Sequence, residues 1–562
     1  MLGSVAMLLT RLYRSRRRAL RTRAGRLSVG TTAFCAVLGC GAVARAQQAP
    51  PAAANAPPPT VANTPTAPPS TSTKPPADAP AAKAPPADSY KPLLSFRHWG
   101  WQLQIPMRLA GRAEGVSSFP VDSQAHDFQS GVALSPLFRL GAKLSTVKPI
   151  AKTVFISGEY EQDLPTGTWT SEDPIAGEGM PNSKSFTTRL RKGWGLVALG
   201  RYLHFGGGFM TSHWALGLVA NDGDHGWEPG SGDFTDPRGG DLVLRGFAGT
   251  GPLTDANITA TVAIDKVRND DVLLAGDKAH EYIASMLVGE GKPVHGGFFI
   301  VRRNQTTADG RTLDVTVVDP AAGATIDIAK AKLELEAEGA VVSGKTTLAA
   351  TPQIPVDNVN QLGGALRAAL DFARAGGVVD LVYASGDQNI HDSNLRGFHA
   401  DPMFETGLLL FRYVQAAQTG RGYGTAADPQ LVGAPPAGIE RLPTRGGLTD
   451  AVVIFPRLWV RPVEHLETYG GVLFALAPKK NVDPFNTDLA GGVPENALGS
   501  DPGSYWGTEV DVGVRYRLYL HHTELSAGAE GGVLAPGSAL RDAAGKNPSP
   551  VYGGRLLLGY RL

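Results

Sequence analysis

The stretch Glu509-Val510-Asp511-Val512-Gly513-Val514-Arg515-Tyr516-Arg517-Leu518 decides the fold. Val510, Val512, Val514, Tyr516 and Leu518 fall on one face of an extended chain, and Glu509, Asp511, Arg515 and Arg517 on the other, because strand side chains alternate with a period of two. A soluble sheet would turn its charged face to bulk water. A strand of this length with one uniformly apolar face and one ionic face is equally what a bilayer-crossing barrel strand needs, with lipid on one side and a wet lumen on the other.

The same pattern recurs outward in both directions from this stretch. Val452, Ile454, Pro456, Leu458 and Val460 oppose Phe455, Arg457, Trp459 and Arg461; Leu333, Leu335, Ala337, Gly339 and Val341 oppose Lys332, Glu334, Glu336 and Glu338. Leu242, Leu244, Gly246 and Ala248 oppose Asp241 and Arg245, and Ile258, Ala260, Val262 and Ile264 oppose Thr259, Thr261 and Asp265. Trp99, Trp101, Leu103, Ile105, Met107 and Leu109 read as one face of a first segment, and Tyr552, Leu556, Leu558, Tyr560 and Leu562 as one face of the last. Leu362 to Phe372 fits an amphipathic helix about as well as a strand, and its glycines favour strand. In all there are roughly eighteen candidate strands, many long enough for the ~9–11 residues that a tilted strand needs to cross a bilayer. A closed barrel is the sheet that leaves no backbone group unpaired in lipid. The reading is therefore an all-β chain: a transmembrane antiparallel β-barrel of about eighteen strands over residues 93–562.

Composition agrees. The chain has 562 residues, 69 of them glycine, and only 19% are charged. No apolar run reaches the ~18 residues of a membrane-spanning helix. The first 46 residues hold nine arginines and no acid, followed by an apolar stretch and Ala44-Arg45-Ala46, the plan of a cleaved export signal. Its removal takes 53 basic against 52 acidic residues to 44 against 52, a net charge of −8. Both cysteines, Cys35 and Cys40, leave with it; Val37-Leu38-Gly39-Cys40 alternatively reads as a lipidation box. Residues 47–92 are an Ala/Pro-rich, disordered linker without a core.

Several phrases carry a resemblance. Ser212-His213-Trp214-Ala215-Leu216-Gly217 running into Ala220-Asn221-Asp222-Gly223, Gly507-Thr508-Glu509-Val510-Asp511 leading to Arg515-Tyr516-Arg517, and Gly531-Gly532-Val533-Leu534-Ala535-Pro536-Gly537 resemble the alginate-export type of outer-membrane porin. The likeness covers 94–562 in architecture and these short pieces at motif level. It implies a barrel of about eighteen strands whose lumen is lined by arginines and carboxylates.

If the apolar face meets lipid, phase alone points Arg189, Arg191, Arg245, Arg367, Arg457, Arg461, Arg515 and Arg517, with Glu334, Glu336, Glu509 and Asp511, into the pore. Arg108, Arg139, Arg555, Glu159, Glu161, Asp265, Glu338, Asp371, Asp380 and Glu530 share that side. Arginine and carboxylate ladders on opposite walls would set a transverse field, and unpaired charge at Arg457/Arg461 and Arg515/Arg517 would favour anions. The long stretches Leu164–Lys184, Asn221–Gly240, Asp387–Asp401, Thr419–Leu448 and Lys479–Ser504 are expected to be extracellular loops.

The expected function is a porin-like outer-membrane channel, exported through the cleaved signal of a Gram-negative-type cell. It would pass small polar or anionic solutes, among them saccharides or uronic-acid polymers. The alternatives are a barrel lipid hydrolase and a plugged structural or adhesive barrel. Partners are outer-membrane lipid, the solute, and the barrel-assembly machinery. That machinery would be met through a C-terminal strand that ends in Leu562 instead of the usual aromatic. No enzyme, cofactor or nucleic-acid motif is found: His391-Asp392-Ser393 has triad residue types but no triad geometry. His204 and His213 lack metal-ligand spacing, and Asp222, Asp224, Asp233 and Asp236 are at most a weak calcium set.

Overall fold

A computed structural model describes residues 94–166, 187–389, 392–420, 438–520 and 522–562. The export signal, the linker, Cys40, His391 and most of Leu164–Lys184 lie outside these residues.

Eighteen long strands follow the alternating segments. They are β1 Met107–Val116, β2 Gly131–Thr146, β3 Val154–Thr166, β4 Thr187–Leu199, β5 Leu203–Met210 and β6 Leu242–Leu253. Then come β7 Ile258–Asn269, β8 Lys278–Val288, β9 Val294–Thr306, β10 Thr312–Ile328, β11 Ala331–Thr346 and β12 Asp357–Asp371. The last six are β13 Ala375–Ala384, β14 Ala451–Val463, β15 Leu466–Leu476, β16 Tyr505–Leu520, β17 Thr523–Pro536 and β18 Val551–Arg561. Each pairs antiparallel with its neighbours in sequence, and β18 returns to β1 through Leu556↔Ala113 and Arg555↔Glu114. The sheet is thus closed, with Met107 and Leu562 also exchanging backbone bonds at 2.9 and 2.8 Å. Closure is what removes the edge that a sheet in lipid cannot carry.

The ambiguous segment that begins at Leu362 is strand: Leu362–Asp371 lies within β12, paired along its length to β11, and Phe372 follows its end. The first segment departs from the expectation of one continuous face. Ser95–His98 and Trp101–Gln104 form a small hairpin, with Trp99 and Gly100 at φ 47° and 83° in its turn. Pro106 has no N–H to give the ladder, so the chain breaks there before β1 begins. Trp101–Gln104 and β1 then lie end to end along β2.

One rim carries turns of two to seven residues and the other carries connections of five to 66. The outer surface is a belt of exposed apolar side chains at the predicted phase, among them Val262, Ile264, Leu458, Val512, Leu556 and Leu558. No helix among the described residues is long and apolar enough to cross a membrane.

Two of the long connections do not stay outside. Residues 211–241, between β5 and β6, and the described residues of 385–450, between β13 and β14, send side chains into the lumen. There Trp227, Phe234, Phe398, Leu409, Phe411 and Tyr413 pack against wall residues such as Val378, Phe455 and Leu534 in one buried apolar cluster. The second segment includes a π-helical turn, Leu410–Gln415, buried along its whole length and continued by helix 416–420. A barrel of eighteen strands is too wide for wall side chains alone to fill. Its interior is therefore occupied by its own chain.

Candidate functional site

The lumen divides into a packed, arginine-rich part and an open, acidic part. In the first, wall arginines meet acids on adjacent strands and on the inserted segments. Arg457 donates to Asp233 at 2.5 Å and also reaches Asp380, while Arg367 bonds both carboxylates at 2.9–3.2 Å. Arg515 donates to Glu530 at 2.6 Å, to the Tyr469 hydroxyl and to the Thr235 carbonyl, and Arg555 closes on the same Glu530. Arg517 pairs with Glu228 and Glu524 at 3.2 and 3.3 Å, and Arg461 with Glu467 at 2.8 Å. Arg515 and Arg517 stand over the Trp227 ring, and Arg461 over Trp459.

Arg191, 1% exposed, pairs with Glu161 and Asp224 and donates to the carbonyl of Asp222. Arg189 donates to the Gly240 carbonyl at 2.5 Å, and Arg245 forks onto Asp265. Arg139 binds Asp163 and Asp224, and Arg412 of the inserted helix lies between Glu114 and Glu405.

These contacts correct two expectations. The clusters Arg457/Arg461 and Arg515/Arg517 are not unpaired: each guanidinium has a carboxylate partner. Nor do the two signs occupy opposite walls, because most pairs join neighbouring strands or wall to insertion. Burying an arginine without a counter-charge costs several kcal/mol, and pairing across the ladder is the shortest way to avoid it.

The acids of 211–241 are likewise not a calcium set. Asp233 serves Arg367 and Arg457, Asp224 serves Arg139, Arg191 and Lys192, and Asp236 serves Arg112 and Arg238. Burial alone would raise the Asp236 carboxyl, but Arg238 and Arg112 hold it well below the usual range; Arg191, Lys192 and Arg139 do the same for Asp224.

The remaining residues assigned to the pore split. Glu509, fully buried, accepts from the backbone N–H groups of Leu408, Leu409 and Leu410 at 2.6–2.8 Å. It caps the inserted helical turn and is no part of an open surface. The approach requires glycine at 407, where φ is +71° and a Cβ would stand 2.9 Å from Glu509. Asp511 is buried beside it. Glu334 and Glu336 stay exposed on the lumenal side of β11, Glu334 next to Lys332.

The open part is a cavity of about 840 Å³ bounded by β6–β12 and by the long connections above them. Eleven carboxylates line it against three guanidinium groups. All three guanidiniums are engaged: Arg245 with Asp265, Arg303 with Asp270 and Glu281, and Arg441 with Asp277. Two acids project unanswered oxygens. Asp357, 3% exposed, and Asp450, 8% exposed, each have an Oδ2 that meets no donor.

Burial raises several of the loop acids here. Asp450 is pushed up to about 7 and Asp483 to about 6; Asp271 rises to about 6 through burial and the neighbouring Asp270. Asp401 and Asp241 are also raised well above the usual range by burial, Asp401 with the charge of Asp271 beside it and Asp241 with that of Asp401.

Sequence reading missed this cavity. Asp270, Asp271, Asp357, Asp401 and Asp450 sit at strand ends or in loops, where alternation carries no signal. The density of aspartate in the long connections was visible, but which of them face one space was not. The described residues also gather His213, Asp222 and His225, each with a ligand-type atom within 4.8 Å of the others. In the His391-Asp392-Ser393 stretch, Asp392 is tied to Arg396 at 2.9 Å.

A closed eighteen-stranded barrel with an apolar belt and an ionic, partly filled lumen is a transmembrane barrel of porin type in its fold. No protein-family model matches the chain, and no curated protein matches it. Solved structures similar to it include Pseudomonas aeruginosa OccK2 (OpdF), at 9% identity and TM-score 0.47 over 82% of this chain and 97% of that one. Pseudomonas aeruginosa OccK9 (OpdG) gives 10%, 0.47, 82% and 98%, and Acinetobacter baumannii OccAB1 gives 8%, 0.46, 82% and 96%. None of these three is described as an alginate exporter. The barrel's own pairing and belt, not these distant likenesses, carry the reading that follows.

Proposed function

We propose that the protein is an outer-membrane channel whose open path runs through the acidic cavity and favours cationic or neutral polar solutes over anions. The observation that carries this is the lining of the 840 Å³ space: eleven carboxylates face it, and its only three guanidiniums are already paired. A ring of carboxylates in a narrow wet passage concentrates cations and repels anions. The anion preference expected for uronic-acid polymers finds no unpaired arginine in the lining of this cavity.

The belt and the closed sheet support a site in lipid, and the arginine-rich leader with Ala44-Arg45-Ala46 supports export with cleavage after Ala46. The final strand, ending at Leu562, would present the chain to the barrel-assembly machinery. Reversal potentials across planar bilayers under a potassium chloride gradient test the proposal. A cation-selective open state is expected; anion selectivity would overturn it. Channels that never open would favour the plugged barrel, which the apolar cluster across the lumen would then explain.

A further inference from the structure

The inserted segment 211–241 brings together three side chains that neither the ion-pair network of the packed half nor the acidic cavity uses. His225 Nδ1 lies 2.8 Å and His213 Nδ1 3.8 Å from the same oxygen, Asp222 Oδ1. The two imidazoles stack with their centres 3.7 Å apart. His213 Nε2 is 3.1 Å from the Ala215 carbonyl, so the ring proton sits there and the Nδ1 lone pair is directed toward Asp222. Histidines that bind metal are commonly held this way, their second nitrogen donating to a backbone carbonyl.

Asp222 is just as firmly placed. It is 2% exposed, its Oδ1 accepts from the Asp224 N–H, and its carbonyl accepts from Arg191 at 2.7 Å. The His225 side chain, by contrast, is 46% exposed. One face of the group is therefore open to solvent.

We propose that His213, Asp222 and His225 form a binding site for a borderline divalent transition-metal ion of the zinc type. Bonds of about 2.0–2.1 Å in a tetrahedral shell place ligand atoms roughly 3.3 Å apart, close to the spacings already present. Two imidazoles and one carboxylate suit zinc, nickel or copper, whereas calcium and magnesium take oxygen ligands. On binding, the His225 ring turns out of the stack, the proton it shares with Asp222 passes to water while Nε2 carries the ring proton, and Nδ1 is directed at the ion; a water completes the shell on the exposed side.

The ion would staple the start of the inserted segment to the turn that Asp224 fastens to Arg139, Arg191 and Lys192. That closure fixes the first half of the segment. The spacing His213-x8-Asp222-x2-His225 matches no short metal motif, which is why sequence reading passed over it.

The test uses the full chain, free of any histidine tag, in detergent and stripped by chelator. Equilibration with zinc alone, followed by elemental analysis, should show one firmly held ion per chain. Cobalt in its place should give the visible absorption of a tetrahedral site. His225→Ala, at an exposed side chain, should weaken zinc binding by about tenfold or more and abolish that absorption. His213→Ala should do the same, and the paired His521→Ala/His522→Ala control should change neither. Equal binding by the wild type and His225→Ala, or no retained zinc in the wild type, would overturn the proposal.

Discussion

The two parts of the lumen are built from the same residue types and come to opposite ends. Around Glu530, Asp233 and Asp236, carboxylates are outnumbered by guanidiniums, each of these guanidiniums has a carboxylate partner, and inserted chain fills the remaining space. Around Asp270, Asp357 and Asp450, carboxylates outnumber guanidiniums and about 840 Å³ stays open. The difference teaches that a buried charge in this barrel either holds elements together as a joint, as Glu530 and Glu509 do, or belongs to the acidic surface that we propose selects cations. Which it becomes depends on whether the inserted segments supply its opposite. Asp224, Asp233 and Asp236 supply it to the arginine side; on the acidic side Arg396 and Arg441 of the second segment answer Asp387, Asp392 and Asp277, while Asp357 and Asp450 each keep an Oδ2 that meets no donor.

Removing a joint should have the largest effect. Glu530, 6% exposed, holds Arg515, Arg555 and the Tyr469 hydroxyl at once. Glu530→Gln keeps the shape but strands two buried guanidiniums, so it should cost about 3–5 kcal/mol in denaturant unfolding of the lipid-embedded barrel. A loss under about 1 kcal/mol would mean that water already reaches these arginines, and the contrast between the two parts would collapse.

The second contrast is in pH, and its sign differs between the parts. In the acidic part Asp450, Asp271 and Asp483 are raised to about 7, 6 and 6 by burial. As pH falls from 8 to 5 they take up protons, so cation selectivity should fall several-fold across that window. The folded state binds these protons more tightly than the unfolded chain, so this part becomes more stable over the same descent. On the arginine side Asp222, despite burial, is held at about 2 by its hydrogen bond to His225, and Asp236 lies well below the usual range. Their contribution is intact at pH 5 and is lost only below about 4, as the unfolded carboxylates protonate. Reversal potentials from pH 8 to 5 measure the first effect. Asp450→Asn should flatten its upper limb, and an unchanged titration would remove Asp450 from the path.

How much of this could be read in the sequence follows the same division. The phase of β14, β16 and β18 was legible, since lipid outside and water inside impose strict alternation: Leu458 and Arg457 could not exchange faces without the whole strand slipping. What each inward charge does was not legible. Phase sends Arg457 and Glu509 to the same side, but Arg457 joins two strands to a loop and Glu509 caps a helical turn. Both roles depend on segments 211–241 and 385–450, which have no period and whose position is set by tertiary contact. Pro106 shows the converse case, in which a single residue that withholds an N–H divided a face that alternation had joined.

The smallest expected effect sharpens the comparison most. Asp357 is 3% exposed, its Oδ2 meets no donor, and the charge that bears on it, Asp392, is another acid. If it were a joint that lost its partner, it would be a defect, and Asp357→Asn would relieve an unpaired buried charge. If it were a selectivity element, the same change would remove part of the field that draws cations. Both follow from one geometry, so the variant should be more stable by about 1 kcal/mol and also less cation-selective. Unfolding midpoints and reversal potentials on the same preparation separate the cases. A gain in stability with unchanged selectivity would place Asp357 off the conduction path. A loss of stability would mean that the carboxylate has a partner after all and belongs with the joints.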